Sequence, residues 1–269
     1  MALPLFDPTE DPGPSFTALL SREGMGDLRQ IQDHGITQAH GTTVLAIRYA
    51  DGVIMAGDRR ATEGHSIAHR SMEKVFPADR YSAVAIAGSA GMAVEMVRLF
   101  QVQLEHYEKV EGVTLSLEGK ANQLAQMVRA HLPMAMQGFV VVPLFCGFDI
   151  ARSTGRIFTY DPAGGHYEET DFQTTGSGGR DARQTIKLGY RENLSRSEAI
   201  ELAVLSLYEA ADGDSATGGP DLVRGIFPII ATVTAEGYDR VPDDEIAERF
   251  TEAVERRRST GGDAGGTLR

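Results

Sequence analysis

From residue 43 onward, apolar and polar positions fall into short patterned runs, and that texture begins abruptly. TVLAIRY, a turn at Asp51-Gly52 and then VIMAG make the signature of a hairpin with partly buried strands. Lys74-Val75-Phe76, a turn over Pro77 to Arg80 and YSAVAIAGSAG predict a second strand pair, so a sheet is laid down first. The period then changes. Met92, Met96, Leu99, Phe100, Val102 and Leu104 recur at helical spacing within 92–109, and Leu117, Ala121, Leu124, Val128 and Leu132 do so within 114–136, where Pro133 is expected to kink or end the helix. GFVVVPLFCGFDI and GRIFTYDPAGGHYEE predict more strands around a glycine-rich turn, and FQTTGSGG a strand entering a tight glycine loop. Helices follow over 180–190 and 196–211, then a strand in IFPIIATVTAEG. A last helix in DDEIAERFTEAVERRR puts Arg256 to Arg258 at its end, where cations suit the helix dipole.

Strands arrive as hairpins and helices in pairs, which argues for a layered domain with segregated, mainly antiparallel sheets rather than repeated βαβ units. Residues 1–41 differ from the rest: four prolines, six acidic and two basic residues and little periodicity read as an extension or pro-segment. The terminal GGDAGGT reads as a flexible tail. Composition narrows the functional classes. A chain of 269 residues with 42% hydrophobic content can fill a real core, and a formal charge of -12 argues against binding nucleic acid through the mean field of the chain. One cysteine, Cys146, excludes an intrachain disulfide framework and a C-x-x-C metal site, which makes a reducing compartment the default. No apolar run reaches the roughly 18 to 20 residues of a membrane span, and MALPLFDPTEDPG lacks the pattern of a secretory signal.

Glycine-rich turns at 88–91, 176–179 and 218–220 fit neither a phosphate loop nor a dinucleotide fingerprint, and neither H-E-x-x-H nor G-x-S-x-G occurs. The sequence therefore predicts no cofactor and no metal. His40-Gly41-Thr42-Thr43 stands out at the boundary between the leader and the first strand. A hydroxyl is a poor nucleophile unless a base lies beside it, and a threonine freed at its own α-amine carries that base with it. An amine of ordinary pKa, about 7.7 to 8.0, can serve near neutrality. In isolation the motif is ordinary and reads as a glycine loop entering an edge strand. Asp58 ends a strand in AGDRR, and Lys74 in MEKV starts the next, where a hairpin return can bring it near Thr42. A carboxylate-held ammonium there would lower the proton affinity of a neighbouring amine, although the pair alone also fits a structural ion pair. Asp214-Ser215-Ala216-Thr217-Gly218-Gly219 is an acid-hydroxyl loop after a helix, and helix termination by side-chain hydrogen bonds would also explain it.

Together GTTV, AGDRRAT, the lysine of MEKV, IAGSAG, LEHYEKVEG, GSGG and DSATGGPDLVRGIFP resemble the β-subunit of the proteasome core particle, in the bacterial form found in actinobacteria, from Thr42 to about Arg258. The resemblance implies an α+β fold of the N-terminal nucleophile hydrolase type, a four-layer αββα sandwich. It implies a propeptide over 1–41, a catalytic domain over 42–260 and a tail over 261–269. It makes Thr42 the nucleophile of a threonine endopeptidase, exposed when Gly41-Thr42 is cut autocatalytically, with Asp58 and Lys74 as charged partners. Ser177, Asp214 and Thr217 match the group that positions the α-amine; members commonly carry serine where Thr217 stands. The Gly88 N–H matches the oxyanion donor, and Ala61, Met72, Ile86 and Ala90 match the primary specificity pocket, with Thr62 holding substrate in extended form. Implied partners are proteasome α-subunits, a homo-heptameric β-ring stacked as two β-rings between two α-rings, a ring ATPase and tagged protein substrates, all cytoplasmic. A catalytically silent ring subunit and a small-amide hydrolase of the wider superfamily are the alternatives. In an uncut chain Thr42 is expected to be buried.

Overall fold

Period-two burial on the strands and 3.6-residue burial on the helices produce four layers. The computed structural model describes residues 41–63 and 66–262; the leader reading for residues 1–40 and the reading of 263–269 lie outside them. The strands are β1 (Thr43–Tyr49), β2 (Gly52–Gly57), β3 (Ala61–Glu63), β4 (Ser66–His69), β5 (Val75–Asp79), β6 (Ser82–Gly88), β7 (Val141–Asp149), β8 (Thr154–Tyr160), β9 (His166–Glu169), β10 (Phe172–Gly176), β11 (Ile229–Thr234) and β12 (Gly237–Arg240). The helices are α1 (Ala90–Glu111), α2 (Leu117–Ala135), α3 (Gly179–Gly189), α4 (Arg196–Gly213) and α5 (Asp243–Gly262). One sheet runs β10-β1-β2-β11-β12 and the other β5-β6-β7-β8-β9, and every paired strand is antiparallel.

Both faces of the central strands are covered, so they read as nearly continuous apolar runs. Val44 and Ala46 of β1, Val53 and Met55 of β2, and Ala231 of β11 meet Ala83, Ala85, Leu144, Cys146 and Ile157 of the other sheet in the space between the two. The alternate residues Leu45, Ile47, Ile54 and Ile230 face outward onto Ile186 of α3, Ala203 and Leu207 of α4 and Phe250 of α5. Val84, Phe145 and Phe158 face the other way, onto Phe100 of α1 and Leu124 and Val128 of α2. Phe145 meets Phe100 edge to face at 5.8 Å between ring centres. This is the expected α+β, αββα arrangement.

The structure differs from the expectation in four places. The β3-β4 hairpin was not predicted, because Ser66–His69 is exposed along its whole length and carries no alternation. β12 was missed as well: GYDR has too few apolar positions to signal a strand and is set by pairing with β11. Pro77 lies inside β5 rather than in the turn; β5 is an edge strand, where a missing N–H is tolerated, and its pairing shifts between Pro77 and Asp79. Pro133 falls at the end of its helix as expected, since α2 ends two residues later at Ala135. Finally, α5 continues to Gly262, so no basic residue occupies its last turn, and Arg256 instead pairs with Glu201 of α4.

Candidate active site

The sequence-predicted residues converge at one end of the sandwich, where β1 begins and β2 and β10 end. Antiparallel pairing forces this: Thr43 stands opposite Gly176, and Val44 opposite Gly57. Asp58 therefore follows the end of β2 beside the start of β1, and Ser177 follows the end of β10. Gly176 has φ +98°, and a Cβ on it would stand 1.8 Å from the Thr42 carbonyl oxygen, so only glycine lets the two strands close here. Gly88, at the end of β6, has φ +108° and is held against Val140 in the same way, turning the chain into α1.

Thr42 is buried, as expected of an uncut chain, and its Oγ1 donates to the carbonyl oxygen of Gly41 at 2.6 Å. Gly41 is wedged: a Cβ there would come within 2.7 Å of both Ala216 and the Thr62 hydroxyl. The same Gly41 carbonyl accepts from Lys74 Nζ at 3.0 Å. Lys74 Nζ also donates to Asp58 Oδ1 at 2.7 Å and to the Arg60 carbonyl at 2.5 Å, so its three protons have three acceptors. Asp58 and Lys74 are both sequestered from solvent, with 0% and 1% of their side chains exposed. Asp58 accepts three further bonds, from Thr43 N–H at 2.8 Å onto Oδ1 and from Arg60 N–H and Gly218 N–H at 2.8 and 2.9 Å onto Oδ2. A buried carboxylate needs that degree of satisfaction. Burial is the largest influence on Lys74 and lowers its proton affinity; the Asp58 charge and hydrogen bond and the Asp214 charge work against that, Arg60 reinforces it, and the ammonium ends below its ordinary value.

Behind Thr42 lies a hydroxyl relay. Thr217 Oγ1 and Ser177 Oγ donate to Asp214 Oδ2 at 2.6 and 2.5 Å, and the Thr43 and Thr217 hydroxyls are bonded at 2.6 Å. The Gly178 N–H donates to Thr43 Oγ1 at 2.9 Å, while Ser177 reaches the Thr42 carbonyl through its N–H at 2.9 Å and its hydroxyl at 3.4 Å. Burial works to raise the Asp214 carboxyl, but the bonds from Ser177, Thr217 and the Ala216 N–H, with the Lys74 charge, outweigh it and hold the group below the usual carboxylate range.

The residues matched to a specificity pocket are linked through the backbone. Met72 N–H donates to the Arg59 carbonyl, and Ile86 N–H to the Lys74 carbonyl, each at 3.0 Å. Segment 59–62 thus lies along 72–74, which lies along the end of β6. Ala61 and Thr62 are buried on β3, Met72 and Ala90 are half-buried, and Ile86 is buried among the residues beneath α1. Sequence reasoning missed four participants. Thr43, whose amide and hydroxyl join Asp58 to Thr217, was hidden as a strand residue next to the nucleophile candidate, although the doubled threonine of GTTV was a signal. Arg60, Gly178 and Gly218 act through backbone groups, which leave no signature in residue type.

A sandwich of two antiparallel sheets between helical layers, with a threonine at the start of β1 against a buried Lys-Asp pair, defines the N-terminal nucleophile hydrolase class. A proteasome subunit family model matches residues 38–223. The chain is 62% identical to a proteasome subunit beta of Acidimicrobium ferrooxidans over 96% of both chains. It is 58% identical to one of Streptomyces griseus over 81% of this chain and 78% of that one, and 54% identical to one of Frankia casuarinae over 83% and 82%. The chain belongs to the bacterial, actinobacterial-type proteasome β-subunit family. Among the described residues no helix is long and apolar enough to cross a membrane.

Proposed function

We propose that the chain is the threonine-type endopeptidase subunit of a proteasome core particle, made as a precursor and activated by cutting its own Gly41-Thr42 bond. The observation that carries this reading is the shared carbonyl of Gly41, which accepts both from the Thr42 hydroxyl and from the buried Lys74 ammonium. In self-cleavage Thr42 Oγ adds to the Gly41 carbonyl carbon, and its proton passes to a water. Lys74 stabilises the oxyanion through the bond it already makes. Collapse breaks the C–N bond, gives the amine its proton and leaves an ester on Oγ, which water hydrolyses. Residues 1–41 are thereby released as a propeptide, and Thr42 gains a free α-amine.

In the mature chain that amine takes the Oγ proton, directly or through water, as Oγ attacks a substrate peptide carbonyl. The Gly88 N–H serves as oxyanion donor, and the amine afterwards activates the water that hydrolyses the acyl-enzyme. Lys74 keeps the amine unprotonated, Asp58 holds Lys74, and Asp214 with Ser177 and Thr217 fixes the position of residue 42. Ala61, Met72, Ile86 and Ala90 form a small, aliphatic specificity pocket that favours apolar side chains, with Thr62 pairing to the extended substrate. By the resemblance to its family, the catalytic domain, 42–260, works in a homo-heptameric ring, two β-rings between two α-rings. It degrades tagged proteins supplied by a ring ATPase in the cytoplasm.

The test is the intact mass and N-terminal sequence of the chain after assembly with its α-subunit, together with the peptidase activity of Thr42→Ala. A chain starting at Thr42 whose activity is abolished by Thr42→Ala supports the reading. An assembled particle that keeps Met1 and cleaves nothing makes this a silent ring subunit, and unchanged activity in Thr42→Ala sinks the mechanism.

A further inference from the structure

On the side of segment 58–60 that faces the loop after α4, a cavity of about 40 Å³ is walled by Arg59, Arg60, Arg70, Gly218, Phe227 and Pro228, among others. Its charges are unbalanced. Among the described residues none of the three guanidiniums forms an ion pair. Arg60 Nη1 spends one donor on the Ser215 carbonyl at 2.9 Å, and Arg59 Nη2 makes a long bond of 3.4 Å to the Ser71 carbonyl. Arg59 Nε is buried without a hydrogen-bond partner. With no carboxylate pairing them among the described residues, three guanidiniums around one cavity leave its positive charge uncompensated, which points to an anion from outside the described residues. The carboxylate on the wall, Asp221, does not supply it: Arg224 Nη1 engages its Oδ2 at 2.7 Å, and the N–H groups of Val223 and Arg224 engage its Oδ1 at 3.1 and 3.0 Å.

We infer that this cavity binds a small carboxylate, its oxygens taken by the guanidinium forks and its short carbon stem lying on Phe227 and Pro228. A volume of 40 Å³ holds roughly three water-sized groups, at about 10 to 15 Å³ each, which suits a carboxylate head. Planar forks are matched to carboxylate geometry and give the strongest neutral-pH hydrogen bonds available to an anion. The site is joined to the Lys74-Asp58 pair through the backbone, since the Arg60 and Gly218 N–H groups hold Asp58 and the Arg60 carbonyl holds Lys74. A bound carboxylate therefore fixes the frame that holds the catalytic pair, and this inference rests on the proposed function only for that consequence.

The test uses the full-length chain with acetate as the probe and chloride at equal ionic strength as the reference, read as thermal midpoint. At about tenfold its Kd, acetate raises the midpoint by roughly 3 °C over chloride. The gain disappears in Arg70→Gln, whose exposed side chain makes it a safe substitution, and falls in Arg59→Gln. A general salt effect of acetate on stability would act equally on the variants. Equal midpoints in acetate and chloride, or a gain that survives in Arg70→Gln and Arg59→Gln, overturn the inference. Because the readout is stability, it does not depend on whether Thr42 is catalytic.

Discussion

Replacing Lys74 with methionine separates its chemical role from its structural one. Methionine fills most of the stem's volume but removes three donors at once, those on Gly41 O, Asp58 Oδ1 and Arg60 O. Breaking a buried ion pair by deleting one partner costs about 3 to 5 kcal/mol. Asp58 keeps its three bonds from the Thr43, Arg60 and Gly218 amides, so the cost should fall near the lower end, about 3 kcal/mol. That loss lowers the melting temperature but is a fraction of the roughly 5 to 15 kcal/mol that holds a domain folded. The effect on self-cleavage is larger in kind. Removing one preorganised oxyanion donor typically slows acyl transfer by about 10²- to 10³-fold, so Lys74→Met should release its leader at least about a hundredfold more slowly. The assay is a time course of intact mass after mixing with the α-subunit, with circular dichroism on the same sample to show a folded chain. Lys74→Arg, which keeps the charge but not the compact ammonium, should fall between the two. A folded Lys74→Met that exposes Thr42 at the wild-type rate would refute the role assigned to the shared Gly41 carbonyl.

Four other outcomes follow from the structure. Gly176→Ala places a methyl against the Thr42 carbonyl at a backbone angle that alanine resists, and should cost both stability and leader release, read by melting and by intact mass. Thr217→Val removes a donor to Asp214 and leaves the Thr43 hydroxyl without that partner, at about 1 to 3 kcal/mol, whereas Thr217→Ser should be nearly silent in chemical denaturation. Asp214 has a depressed folded pKa, so its contribution to stability is present above the unfolded value near 3.8 and is lost only as pH falls through the lower folded value; Thr217→Val, by weakening that depression, should move the acid limb of the stability profile to higher pH. Burial pushes the Cys146 thiol far up, and the side chain lies between the sheets, so a thiol reagent should label it only on unfolding, as mass spectrometry would show.

The order of most strands and helices and the antiparallel layering were legible in the chain itself, and Thr42, Asp58, Lys74, Asp214 and Thr217 stood out there as candidates, with Ser177 supplied by the resemblance. Local pattern encodes which face of a strand or helix is buried, and a chemical role demands a particular residue type. What stayed hidden depended on partners distant in sequence. β12 and the β3-β4 hairpin exist because a neighbouring strand pairs with them, not because their own residues alternate. The carbonyls of Gly41 and Arg60 and the amides of Gly178 and Gly218 carry the site's hydrogen bonds, and every residue has such groups, so only the fold decides which are used. The three-way seating of Lys74 joins residues 41, 58, 60 and 74, and the Asp214 relay joins 43, 177, 214 and 217. Apart from the Thr43 hydroxyl, sequence proposed these charges and hydroxyls as candidates, and the stacking of the two sheets decided that they meet at one end.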